Sequence, residues 1–155
     1  MTRSNAREIA VHLIYEMGLR DAAADELFST ELTKECFASR EGEDALYDDF
    51  PNEKQRIYIE TLVRGVDAHQ AELDGYISRL AIGWKFARLP RVAVAILRAA
   101  MYEIMYMPDI PNSAAVNEAV EIAKKYEEPE VVSFINGILG SFIRQELPEE
   151  YKKSE

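Results

Sequence analysis

Two histidines and one cysteine are all that this chain offers to metal or thiol chemistry, and their spacing supports neither. His69-Gln70-Ala71-Glu72 lacks the second histidine of a zinc-protease helix. His69 also falls on the row of Val66 and Leu73, which predicts a packed side chain. His12 has no partner at metal-ligand spacing. A lone Cys36 excludes a disulfide framework and a cysteine-based zinc site. It shares an i,i+4 row with Phe28 and Leu32, which reads as a core thiol. Gly137 and Gly140 lie inside a helical pattern rather than after a strand, so they build no phosphate loop. No serine sits in a nucleophile-elbow context. The carboxylates are numerous, but none occupies the apolar setting that would raise its pKa for acid–base work. The acidic run 41–49 lacks calcium-loop spacing. The expectation is no enzyme, no metal and no cofactor. A metal-dependent enzyme built on His69 and nearby carboxylates is the rival, and it predicts bound metal.

What remains is binding, and three groups of residues suit it. Arg3, Ser4 and Arg7 form an N-terminal arm able to meet phosphates with side chains and free helix amides. Residues 75–102 contain no acidic residue and carry Arg79, Lys85, Arg88, Arg91 and Arg98. Asn117, Phe134 and Asn136 offer amide and aromatic groups of the kind that take unstacked RNA bases. The plain alternative for each is solubility, capping or helix packing. The net charge of −10 repels a polyanion at long range, so nucleic-acid affinity must come from local contacts or a partner.

The elements that must position these groups are all helical. Six or seven helices are expected, in two three-helix-like halves joined near residues 75–90. Asn5 and Glu8 resemble a capping box, and Asn52 and Gln55 a second one. Residues 22–38 read as one amphipathic helix, and 39–51 as a flexible acidic linker. The next helix carries Ile59, Leu62, Val66, His69, Leu73 and Ile77 at steps of three and four, with a break expected at Gly75. Residues 92–107 are apolar on nearly every side, which predicts a buried central helix. Asn112 or Ser113 should cap the following helix, and Pro129 should open the last. Gly137 and Gly140 cost that last helix about 1 kcal/mol each relative to alanine, a cost expected where another helix approaches closely. The domain is read as 1–147, with a flexible polar tail over 148–155. No apolar stretch suits secretion or membrane spanning.

Five segments in one order carry a resemblance. They are Ala6-Arg7-Glu8 with Leu13-Ile14-Tyr15-Glu16; Leu62-Val63-Arg64-Gly65-Val66; Ala95-Ile96-Leu97-Arg98 with Tyr102-Glu103; Val116-Asn117-Glu118-Ala119-Val120-Glu121-Ile122-Ala123-Lys124; and Phe134-Ile135-Asn136-Gly137-Ile138-Leu139. Together they resemble the NusB family of bacterial transcription antitermination factors. The resemblance implies an all-α fold without catalysis. It implies binding of boxA-type single-stranded RNA alongside a small-subunit ribosomal protein, NusE, in the transcription elongation complex during ribosomal RNA synthesis. Separately, the single cysteine and the absence of a secretory stretch fit a cytoplasmic protein. On the residues of this chain, Arg3, Ser4, Arg7, Phe134 and Asn136 would meet RNA. Tyr15, Val92 and Ala93 would face the protein partner.

The chain also departs from the family pattern. Ser4 and Asn5 stand where basic residues are common. Ala93 and Val94 replace an acidic–basic pair, and Val131, Ser133 and Gly140 replace polar or charged residues. These losses motivate an alternative: a protein-interaction module with the same fold and weakened RNA binding, assembled as a homodimer.

Overall fold

The computed structural model describes residues 1–153, and among these the chain is helical with no strand. It divides into two compact units, Met1–Ala68 and His69–Glu155. The boundary falls earlier than the 75–90 join expected from sequence.

In the first unit, α1 (Arg3–Arg20) packs along α4 (Glu53–Ala68), with α2 (Ala24–Glu31) and α3 (Lys34–Ser39) beside them. The first helix starts one turn earlier than the Asn5 box predicts. Thr2 is the N-cap, and its hydroxyl accepts from the Asn5 amide at 3.0 Å. The 22–38 stretch is two helices rather than one. Thr33 accepts from the Cys36 amide at 3.1 Å and starts α3 afresh, because a capping hydroxyl satisfies an end amide that a continuous helix would bond internally. Residues 39–51 do not behave as a loose linker. Leu46 and Tyr47 are buried in a 3-10 turn, and Phe37 meets the Tyr47 and Phe50 rings edge-on at 5.0 Å. The aromatic residues in this acidic stretch anchor it. The Asn52–Gln55 box is present in both directions, at 2.9 and 2.8 Å, and opens α4.

The second unit contains α5 (Gln70–Leu80), α6 (Arg91–Tyr106), α7 (Asn112–Tyr126) and α8 (Pro129–Ser141). The helix break expected at Gly75 occurs at His69 instead, and Gly75 lies inside α5. The α6 helix is buried round most of its circumference, from Ala93 to Met105, and packs against α5, α7 and α8. Pro129 occupies the first turn of α8, as its missing amide proton favours. Pro111, not Asn112 or Ser113, caps α7, and no side chain completes that cap. After α8 the chain passes into a π-helical turn over Phe142–Glu146. The polar stretch beyond Leu147 is anchored twice. The Tyr151 ring meets Tyr106 at 5.2 Å, and the Lys153 ammonium donates to the carbonyls of Ile110 and Glu103 at 2.6 and 3.2 Å. The last two residues of the expected tail, 154–155, lie outside the described residues.

Gly137 does not serve a close helix approach. A Cβ placed there meets nothing within 4 Å. Gly137→Ala is therefore expected to stabilise the protein by about 0.5–1 kcal/mol, by removing backbone freedom from the unfolded chain. Urea unfolding followed by circular dichroism checks this, and a lower midpoint would show that the position needs glycine for another reason.

Candidate nucleic-acid interface

Each unit carries its own set of polar groups. In the first, Arg3 and Ser4 are exposed in the opening turn of α1, where backbone amides are not yet bonded within the helix. The Arg3 guanidinium lies 4.9 Å from the centre of the Tyr58 ring. Arg3, Asn52, Lys54, Gln55 and Tyr58 line a shallow cavity of about 210 Å³. The Gln55 amide also donates to the Met1 carbonyl and ties the N-terminus to α4. Arg7 is placed differently from the sequence expectation. It is only 4% exposed, and its guanidinium is 5.7 Å from the same ring. One helical turn separates it from Arg3 on the same face of α1, where Arg7 is buried and Arg3 is exposed. Tyr58, which holds both guanidinium groups, does not stand out in the sequence. Its signal there is an aromatic residue on α4 facing a basic arm. Tyr15, also on α1, is half-buried.

In the second unit, α7 and α8 border an open groove of about 360 Å³. Its lining includes Asn117, Lys124, Ser133 and Asn136. Asn117 and Asn136 are exposed, and among the described residues neither amide makes a hydrogen bond. Lys124 pairs with Glu121 on the same wall at 3.0 Å. Two asparagines far apart in the sequence thus share one groove. Phe134 does not line it. Its ring is half-buried and lies 5.1 Å from the Trp84 ring. Val92 is half-buried, and Ala93 is fully buried within α6, so the Ala93 methyl has no access to a partner.

The cysteine and the two histidines are held in packing contacts. The Cys36 thiol lies 3.4 Å from a Glu31 carboxylate oxygen. Burial first, and then that hydrogen bond, push the thiol above its ordinary range, which disfavours the thiolate. His12 Nδ1 is 2.7 Å from the Tyr47 hydroxyl. His69 stacks on Tyr106 at 4.3 Å. Burial, followed by a 2.6 Å hydrogen bond to Glu72, raises the Tyr106 phenol far above its ordinary range and keeps it a donor. Among the described residues no group of three His, Cys, Asp or Glu side chains could hold a metal ion. No helix there is long and apolar enough to cross a membrane.

The described residues thus form an all-α protein with an open polar groove between α7 and α8 and an exposed cationic first turn in α1. The NusB family profile matches residues 4–144. The transcription antitermination protein NusB of Acetivibrio thermocellus is 41% identical over 147 residues, covering 95% of this chain and 92% of that protein. The protein of the same name from Carboxydothermus hydrogenoformans is 38% identical over 154 residues, covering 99% and 100%. Among solved structures, T. maritima NusB superposes with a TM-score of 0.75 at 25% identity, over 97% of this chain and 96% of that one. Antitermination factors NusB and NusE in complex with dsRNA give a TM-score of 0.74 at 24% identity, over 92% and 96%, a likeness of fold. This chain belongs to the NusB family.

Proposed function

We propose that the chain is a transcription antitermination factor that binds boxA-type single-stranded RNA together with NusE, within the elongation complex that transcribes ribosomal RNA. The carrying observation is the α7–α8 groove. Its Asn117 and Asn136 amides are exposed and lack hydrogen bonds among the described residues. Carboxamides that are not already bonded can meet the edges of unstacked bases. In this reading Asn136 reads a base, and Arg3 and Ser4 hold phosphates. Arg7 acts from beneath by orienting Tyr58 and the arm. Phe134 stiffens the edge of the RNA surface through Trp84. Tyr15 in the first unit and Val92 in the second would each contact NusE, whereas Ala93 supports Val92 from within α6. The names of the relatives support the activity, and a fold neighbour that holds NusB with NusE and RNA supports the partnership.

The test is a fluorescence-anisotropy titration of boxA-type RNA at several salt concentrations, with and without NusE. Saturable binding that weakens with salt is expected. Arg3→Ala should reduce the salt slope by about one, because one phosphate contact is lost. No saturable binding at low salt with NusE present would sink the reading.

The charges missing at Ser4, Asn5, Ala93, Val131, Ser133 and Gly140, with Arg7 buried, favour one other reading, a homodimeric protein-interaction module with weak RNA affinity. Light scattering separates the two: a stable dimer that fails to bind RNA supports the module, and a monomer that binds RNA with NusE excludes it.

A further inference from the structure

The connector between α5 and α6 carries the chain's only tryptophan in an unusual setting. Gly83 adopts φ of 83°, a left-handed conformation that turns the chain sharply after Ala81. The Trp84 amide closes that turn on the Ala81 carbonyl at 3.0 Å. The indole is 37% exposed although it lies against Phe134, and the preceding Ile82 is 90% exposed. Burying an indole contributes a large hydrophobic gain, so a half-open tryptophan braced by a second ring stands out.

The charges around it are equally distinctive. Lys85, Arg88 and Arg91 follow within seven residues, all exposed. Among the described residues their side chains make no hydrogen bond or ion pair. Elsewhere in the same acid-poor segment Arg79 is paired with Glu146 and Arg98 with Asp74. Three exposed cations, without ion pairs among the described residues, thus follow the tryptophan within seven positions in a chain whose net charge is −10.

We propose that Trp84, with Lys85, Arg88 and Arg91, is a stacking platform for single-stranded RNA, additional to the N-terminal arm and the α7–α8 groove. An aromatic face takes any unstacked base, and the neighbouring cations take the phosphates on either side of it. The platform is braced by Phe134, two residues along α8 from the groove asparagine Asn136. Phe134 and Asn136 point to opposite sides of α8, about 200° apart, so the platform is a second surface across that helix from the groove. An acidic peptide would use the same cations, but it would leave the indole face without a flat partner. The platform rests on the RNA reading above and extends it to a site that sequence position alone does not assign.

Trp84 is its own reporter. Emission of the full chain is followed while 12-nucleotide oligo-U, the matching oligo-A·oligo-U duplex or poly-L-glutamate is added, and anisotropy of labelled oligo-U is recorded in parallel. Saturable quenching by oligo-U is expected, with little from the duplex or polyglutamate. Trp84→Ala should weaken oligo-U binding roughly tenfold, and Trp84→Phe should restore most of it. Lys85→Ala and Arg88→Ala should each lower the salt slope by about one. Circular dichroism verifies that each variant is folded. RNA binding seen by anisotropy without quenching, or unchanged by Trp84→Ala, overturns the platform and leaves the antitermination reading standing. Quenching by polyglutamate in place of RNA assigns the surface to a protein partner and overturns it too. Absence of any oligo-U binding overturns the platform, whereas the antitermination reading falls only if the boxA titration with NusE also fails.

Discussion

Asp74→Ala is expected to destabilise the protein by about 2–3 kcal/mol, at or just below the range for breaking a buried ion pair, because Arg98 is buried while Asp74 is half-buried. Arg98 reaches from the otherwise apolar α6 and is only 8% exposed. Its guanidinium meets both oxygens of Asp74 on α5, at 2.7 and 2.8 Å. The parallel geometry fixes the two helices and satisfies a charge that α6 cannot otherwise hold. Removing the carboxylate leaves the guanidinium desolvated and unanswered. Asp74→Asn keeps the shape and one acceptor, so it should lose less. Chemical denaturation of the three proteins measures the differences. A loss below about 1 kcal/mol for the alanine variant would class the pair with surface bridges and contradict the prediction.

Phe142→Ala should cost about 3–5 kcal/mol, the usual range for emptying a buried phenylalanine site. Phe142 is fully buried where α8 passes into the π-helical turn, and its ring meets Tyr76 edge-on at 5.0 Å. The widened turn holds the ring against α5, and the chain there has little freedom to collapse into a void. Phe142→Leu retains much of the volume and should lose less. Thermal unfolding of both variants provides the check. A midpoint for the alanine variant within a degree or two of the unmodified protein would show that the site relaxes around the void.

Much of the helical framework is legible in the amino-acid sequence. The reciprocal Asn52–Gln55 box, the proline that opens α8 and the apolar circumference of α6 all match their sequence signals. The all-helical class and the family are legible too, because five segments keep one order along the chain. Other expectations fail for identifiable reasons. The row of Phe28, Leu32 and Cys36 has helical period, yet Thr33 caps a new helix within it. Periodicity cannot register a cap that falls between two apolar positions. The high charge of the 39–51 stretch predicts a loose segment, but Tyr47 and Phe50 dock on Phe37. Gly75 predicts a break, but the chain bends at His69, whose ring stacks on Tyr106.

The candidate site shows the same divide. Arg3, Arg7, Phe134 and Asn136 stand out for their chemistry, and residue order can go no further than that. Arg3 and Asn136 are exposed, Arg7 is buried, and Phe134 is covered by Trp84. Helix identity, proline stops and reciprocal caps depend on neighbours within about four residues, so the order of residues determined them. Exposure, the pairing of Arg98 with Asp74 and the gathering of Asn117 with Asn136 depend on chain segments far apart in sequence. Only the tertiary structure decided those, because burial and ion pairing are set by which distant side chains arrive at the same place.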